Sequence, residues 1–178
     1  MKVLIPLVEG FEEIEAITPI NILRRAGATV VLGSLSLLER GGRDVWVEPD
    51  VAIGEVLAED WDMIVLPGGP GTKNLLGIEG LLERLQRQSR EDRWLAAICA
   101  APTILHAAGL LAGKRVACFP SVEASLTGVE IVREPVVIDG RIITSRGAGT
   151  ALPFALALVG ALYGPVKQAE ITTQIVAD

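Results

Sequence analysis

Cys99 is the residue whose type and position in this sequence most strongly indicate chemistry. It lies between an apolar segment, residues 94–98, and a helical pattern over residues 100–108. A cysteine at such a strand-to-helix corner presents its sulfur at the end of the sheet, as in a nucleophile elbow. The backbone N–H groups at the start of the helix would favour the thiolate. The alternative is an inert cysteine, because cysteines are frequently buried.

An acidic segment gives a second candidate, Glu15. Three carboxylates, Glu12, Glu13 and Glu15, open a helical pattern after the first apolar segment, which the helix dipole alone would explain. Glu15 shares a helix face with Phe11 and Thr18, so its carboxyl could point inward over the strand ends. Burial would then raise its pKa and make it a proton donor or acceptor. A solvated carboxylate at the helix end is the alternative.

A glycine-rich loop follows another apolar segment. Residues 66–71 read Leu-Pro-Gly-Gly-Pro-Gly, and such a loop can turn backbone N–H groups toward a ligand oxygen. It lacks the Lys-Ser/Thr of a Walker motif and the spacing of a dinucleotide fingerprint. An oxyanion hole, a phosphate loop and a simple tight turn therefore all remain open.

The remaining cysteine and the single histidine are expected to be structural. Cys118 lies within an apolar strand pattern and is predicted to be in the core. His106 is on the helix after Cys99, roughly 10 Å of helix rise away, so it shares a face with the sulfur but cannot touch it. A core or interface histidine is the better interpretation.

The composition excludes several classes of protein. The chain has 178 residues, a formal net charge of −6, two cysteines and one histidine. These numbers exclude a disulfide framework and a closed structural zinc site. The acidic balance argues against strong nucleic-acid binding, and no apolar run has the length of a membrane span. We expect a cytoplasmic protein with no signal peptide and no metal.

The pattern of elements predicts an α/β fold in one domain, residues 1–178. Short apolar segments of strand length alternate with longer amphipathic ones, which indicates a doubly wound, mostly parallel sheet with helices on both faces. Sites in such folds form beyond the carboxyl ends of the strands. Strands are predicted over residues 2–8, 28–33, 63–66, 94–98 and 115–118, with a small β excursion over 45–53 and a hairpin of 136–138 and 141–144. Helices are predicted over residues 12–26, 75–88, 100–108 and 152–162, and after Pro165.

Taken together, these segments resemble the ThiJ/PfpI superfamily, in the branch of the parkinsonism-associated protein deglycase and bacterial YajL. The similarity extends over essentially the whole chain, and five segments carry it, residues 9–15, 24–27, 66–69, 96–103 and 144–150. The resemblance implies a flavodoxin-like fold and a homodimer whose sites lie near the interface.

The same resemblance implies roles for individual residues. Cys99 matches the reactive nucleophile of the family, and Glu15 matches the acid that hydrogen-bonds its sulfur. Gly68, Gly69 and the N–H of Ala100 match the oxyanion-binding corner. The basic residues that match those near the pocket are Arg25 and Arg43.

Two positions depart from the patterns of related branches. Many deglycase-branch members carry a histidine where this chain has Phe119, whereas the YajL-like members do not. Protease-like relatives have a histidine where this chain has Ala100, which argues against a Cys-His peptidase. A Cys-His-Glu amidotransferase triad also lacks its histidine.

Two functions therefore compete, beside the less specific alternative of a family member that acts on an unknown small electrophile. The first is a cofactor-free glyoxalase or deglycase, in which the Cys99 thiolate attacks a small dicarbonyl or an early glycation adduct and a protonated Glu15 shuttles protons through an enediol. The second is a redox sensor or thiol-dependent chaperone with an oxidisable Cys99.

Overall fold

Strands and helices alternate along residues 1–177, the part of the chain that the computed structural model describes. The strands are β1 (Lys2–Pro6), β2 (Thr29–Ser34), β3 (Glu39–Arg40), β4 (Trp46–Val47), β5 (Val51–Ala52), β6 (Met63–Leu66), β7 (Trp94–Ile98), β8 (Arg115–Val116), β9 (Glu130–Ile131), β10 (Val136–Asp139) and β11 (Ile142–Ser145). The α-helices are α1 (Glu13–Arg25), α2 (Ile53–Val56), α3 (Leu81–Arg90), α4 (Pro102–Ala107), α5 (Ala151–Tyr163) and α6 (Pro165–Gln174). Short 3-10 helices span Thr72–Gly77, Pro120–Ser125 and Ala148–Thr150.

Seven strands form the central sheet, in the order β10-β11-β7-β6-β1-β2-β5. All neighbours are parallel except β10 and β11, which form an antiparallel hairpin. The interior strands β1, β6 and β7 are apolar at nearly every position because both of their faces are covered. The predicted doubly wound α/β fold is therefore confirmed.

Each face of the sheet has its own apolar core. On one face, Phe11, Leu23 and Phe154 belong to a cluster that joins the sheet to α1, α5 and α6. On the other, Trp61 and Leu85 belong to a cluster that joins it to α2, α3 and α4. Both layers leave the carboxyl ends of β1, β6, β7 and β11 at one edge of the sheet, and this is where the candidate site lies.

Several predicted elements are observed nearly as expected. β6 and β7 have the predicted bounds, and the helix predicted over residues 12–26 is α1. Pro19 lies inside α1. The predicted hairpin is formed by β10 and β11, and Gly140 at its turn has a φ of 63°, which favours glycine.

Other elements differ from the prediction. The helix predicted over residues 75–88 is a 3-10 helix followed by α3, because Gly80 adopts a φ of 79° and interrupts the helical conformation. The strand predicted over residues 115–118 is shortened to β8, which pairs with β9 outside the central sheet. The helix predicted from Ala100 begins only at Pro102, after the corner at Cys99. Within residues 1–177, no helix combines the length and the apolar character that crossing a membrane requires.

Candidate active site

Cys99 occupies a strained corner between β7 and α4. Its φ is 64°, a left-handed conformation that costs a residue other than glycine about 1 kcal/mol or more. Two backbone hydrogen bonds hold it there: its N–H donates to the Ser145 carbonyl at 3.0 Å, and its carbonyl accepts the Phe119 N–H at 2.8 Å. The neighbouring loops therefore impose the strained conformation, as at a nucleophile elbow.

The loops around the elbow place hydrogen-bond donors at the Cys99 sulfur. The backbone N–H groups of Ala100 and Gly69 lie close enough to the sulfur to lower the pKa of its thiol. Gly69 has a φ of 117°, and a Cβ at this position would lie 2.4 Å from the Glu12 nitrogen. Only glycine therefore allows this loop to bring its N–H to the sulfur.

The Glu15 carboxyl lies on the other side of the sulfur and is only 1% exposed. Its Oε2 accepts the Gly68 N–H at 3.0 Å. The Cys99 side chain and the backbone of Ala148 lie beside this carboxyl, and both favour its charged form. The inward orientation predicted from the position of Glu15 on the helix is thus observed. The Gly68 N–H, in contrast, is occupied by this carboxyl and is not free to bind an oxyanion.

Burial shifts the pKa of the Glu15 carboxyl upward, from its ordinary value of 4.5 to about 7. The negative charge of Glu12 raises this pKa further, whereas the hydrogen bonds from Cys99, Gly68 and Ala148 lower it. A carboxyl with a pKa near neutrality can both accept and donate a proton at physiological pH.

The Cys99 thiol differs from the thiolate that the sequence predicted. Burial, the charge of the Glu15 carboxylate and the hydrogen bond to that carboxylate together raise the pKa of the thiol to about 12. The N–H groups of Ala100 and Gly69 lower the pKa, but they do not offset these effects. The first turn of α4, where the helix dipole acts, begins three residues after Cys99. At neutral pH the pair is therefore a thiol beside a carboxyl that is about half ionised, and its ionised form can take the thiol proton.

Cys99 and Glu15 open into a cavity of about 350 Å³. Arg43 and Ala100 line it, as the resemblance implied, and so does Gly69. The other residues that line it are Glu12, Pro70, Phe119, Ser121 and Ala148. The sequence assigned no role to Gly147 and Ala148, although the cue was present: they follow β11, another strand that ends at this edge of the sheet.

Three other candidate residues do not line this cavity. Arg25 is exposed in the last turn of α1, where its Nε donates to the Asn21 side chain at 2.8 Å. His106 hydrogen-bonds the Thr127 carbonyl at 2.9 Å. Cys118 is buried, and burial raises the pKa of its thiol to about 11, as expected of an inert core cysteine. Over residues 1–177, no group of three or more His, Cys, Asp or Glu residues could hold a metal ion.

An α/β sheet with a cysteine at a nucleophile elbow and a carboxyl against its sulfur defines a class of proteins, and comparison with known proteins identifies the family. Residues 1–161 match the DJ-1/PfpI family. The chain belongs to this family, and the predicted superfamily is confirmed.

Individual relatives support the assignment. The Caenorhabditis elegans protein named glutathione-independent glyoxalase DJR-1.2 is 39% identical over 89% of this chain and 87% of its own length. The crystal structure of Drosophila melanogaster DJ-1beta has a TM-score of 0.93 and 37% identity, covering 98% of this chain and 97% of that one. The flavodoxin-like fold implied by the resemblance is thereby confirmed.

Some relatives are longer. Protein DJ-1 homolog B of Arabidopsis thaliana is 38% identical over 96% of this chain, but the match covers only 40% of the plant protein. The chain thus spans about two fifths of the length of that relative.

Proposed function

We propose that this protein is a glutathione-independent glyoxalase that converts glyoxal and methylglyoxal to glycolate and lactate without a cofactor. The observation that carries the proposal is the contact between Cys99 and Glu15 inside a cavity. The pKa of this carboxyl, about 7, suits a group that must take and return a proton. A relative named as a glyoxalase supports the same activity.

The first step forms a carbon–sulfur bond. Glu15 takes the thiol proton as the Cys99 sulfur attacks the aldehyde carbon, and the carbonyl electron pair moves to oxygen. The N–H groups of Gly69 and Ala100, which lower the pKa of the thiol, are the donors that would stabilise this oxyanion. Protonation of the oxygen by Glu15 then gives a hemithioacetal and restores the carboxylate.

The second step moves a proton between the two carbons of the former dicarbonyl. Glu15 removes the proton from the carbon bound to sulfur, which gives an enediolate. The hydroxyl proton passes to the neighbouring oxygen, and Glu15 returns its proton to the adjacent carbon. The product is a thioester of Cys99. Water hydrolyses the thioester, so the acid leaves and the thiol is restored. One carboxyl serves for all of these transfers, because no histidine lines the cavity.

Steady-state kinetics with glyoxal and methylglyoxal test the proposal, with glycolate and lactate identified by NMR. Cys99→Ser should abolish turnover, and Glu15→Gln should lower kcat by at least about 100-fold, because it cannot take a proton. Cys118→Ser is the matched control and should retain activity. Undiminished turnover by Cys99→Ser would refute the proposal. A glycated thiol tested in parallel shows whether deglycase activity extends to early glycation adducts.

A redox sensor or thiol-dependent chaperone is the second candidate. The observation that favours it is the presence of three hydrogen-bond donors near the sulfur, which are the N–H groups of Gly69 and Ala100 and the protonated Glu15 carboxyl. These donors could hydrogen-bond the oxygens of a sulfinate. Intact-mass measurement after mild peroxide treatment separates the two functions. Clean addition of two oxygens at Cys99, with no turnover of any dicarbonyl, would favour the sensor.

We also propose that the chain forms a homodimer through the outer face of α1. Ile14 and Ile17 are 53% and 40% exposed there, next to a shallow cavity that Arg24 and Arg25 also line. Exposed apolar residues on a helix face are typical of interfaces. Ile17→Glu should then produce a monomer in light scattering, whereas an unchanged mass would exclude this surface. A cytoplasmic location fits the free thiol, which a reducing compartment preserves.

A further inference from the structure

The three carboxylates at the start of α1 have different partners, although their residues are adjacent in sequence. Glu12 caps the helix by accepting the Glu15 N–H at 2.8 Å, and Glu15 accepts the Gly68 N–H at 3.0 Å. Glu13 turns away from Cys99, and its Oε1 accepts the backbone N–H of Arg43 at 2.5 Å. The proposed reaction uses Glu15 and leaves Glu13 without a role.

Glu13 holds the turn between β3 and β4, residues 41–45, against the start of α1. Its Oε1 also accepts the Val45 N–H at 3.4 Å. Gly41 packs so closely on this carboxyl that a Cβ would lie 2.3 Å from Oε1. A further bond, from the Gly42 N–H to the Phe11 carbonyl at 2.8 Å, ties the turn to the same place. The position of the turn therefore depends on a carboxylate thirty positions away in sequence.

The Glu13 carboxylate is buried at a cost in free energy. The residue is only 8% exposed, and its Oε2 is buried without a hydrogen-bond partner. A half-satisfied buried carboxylate is unfavourable compared with a neutral side chain. The burial of this carboxylate therefore does not itself stabilise the fold, and its role lies in the turn that it holds.

The turn carries Arg43, the one cationic side chain that lines the Cys99 cavity among residues 1–177. Its Nη1 donates to the Gly42 carbonyl at 2.9 Å. No carboxylate in the described part of the chain lies within 4.0 Å of its guanidinium. The positive charge at the cavity is therefore not neutralised by an ion pair.

We propose that Glu13 is a positioning residue that fixes the Arg43 guanidinium at the cavity, where its charge favours anionic reactants at Cys99. The inference rests on the proposed function only in requiring that Cys99 reacts as a nucleophile. In the glyoxalase reaction, the same charge would stabilise the oxyanion that forms when sulfur attacks the aldehyde.

Alkylation of Cys99 measures the local charge without any substrate. Iodoacetate is anionic and iodoacetamide is neutral, and both transfer a carbon to sulfur as iodide leaves. The ratio of their rate constants at Cys99, followed by mass spectrometry, reports the positive charge near the sulfur. We expect Arg43→Ala to lower this ratio by about threefold, because a positive charge near the sulfur attracts the anionic reagent and has little effect on the neutral one.

If Glu13 acts through Arg43, Glu13→Ala should lower the ratio by a similar factor. The double variant should then fall no further than Arg43→Ala alone, because the two effects share one cause. Glu13→Gln should retain most of the wild-type ratio, since its amide oxygen still accepts the Arg43 N–H. Glu9→Ala removes an exposed carboxylate from the same end of the fold and is the matched control for net charge.

Three results would overturn the inference: an unchanged ratio in Arg43→Ala, an unchanged ratio in Glu13→Ala (equal slowing of both reagents gives this result), or additive effects in the double variant. Urea unfolding of each variant verifies that the rates are measured on folded protein. If the ratios follow the expectation while the wild type turns over no dicarbonyl, the proposed function fails and the role of Glu13 stands. If the wild type turns over a dicarbonyl but the ratios are unchanged in the variants, the proposed function stands and the role of Glu13 fails.

Discussion

The raised pKa of Glu15 predicts a specific dependence of stability on pH. The carboxyl has a pKa of about 7 in the folded protein and an ordinary value of 4.5. The folded state therefore holds the proton more tightly than the unfolded state, so stability falls as the pH rises from about 4.5 to 7. Glu15→Gln replaces the carboxyl with a neutral group of the same size, which can still accept the Gly68 N–H and donate toward sulfur.

The size of the effect follows from the same values. Each factor of ten in proton affinity corresponds to about 1.4 kcal/mol. Between pH 5 and pH 8, the wild type should therefore lose about 2–3 kcal/mol of unfolding free energy relative to Glu15→Gln. Urea unfolding at the two pH values, followed by tryptophan fluorescence under reducing conditions, measures this difference.

Glu9→Gln is the control because Glu9 is an exposed carboxylate at the same end of the fold. Its stability relative to the wild type should be almost independent of pH over this range. If the difference between the wild type and Glu15→Gln were the same at both pH values, the carboxylate would not be desolvated, and proton transfer by a carboxyl of neutral pKa would lose its physical basis.

Two further variants test the surroundings of the pair. Glu12→Gln should lower the pKa of Glu15, because the charge of Glu12 raises it, and should therefore shrink the pH-dependent loss of stability; Glu12→Asp, which keeps the charge, should not. Gly68→Ala should cost about 1–3 kcal/mol in urea unfolding, since its Cβ would lie 2.6 Å from Glu15 Oε2 and 2.7 Å from the Cys99 Cβ, whereas Gly77→Ala meets no atom within 4 Å and should cost less. Equal costs at Gly68 and Gly77 would contradict the close packing at the elbow.

The sequence predicted most of the fold because its strands are buried on both faces. β6 and β7 are continuous apolar runs with clear ends, and α1 has a helical spacing that ends at Gly27. The errors lie where local pattern and backbone conformation disagree. Gly80 interrupts an otherwise helical pattern, and the segment after residue 114 has the composition of a strand but lies outside the central sheet. The single-domain organisation stays a prediction.

The sequence by itself determined that Cys99 stands at a strand-to-helix corner and that Glu15 shares a helix face with Phe11 and Thr18, because both follow from the order and period of residues. That this face is the inner one was decided by the packing of α1. The tertiary structure decided the rest. It showed that the Gly68 N–H donates to the Glu15 carboxyl, that Arg25 lies away from the cavity, and that Glu13 binds the turn carrying Arg43. It also reversed the expected ionisation of Cys99. A pKa depends on burial and on charges brought close by folding, and distances between strand ends are not encoded in residue spacing.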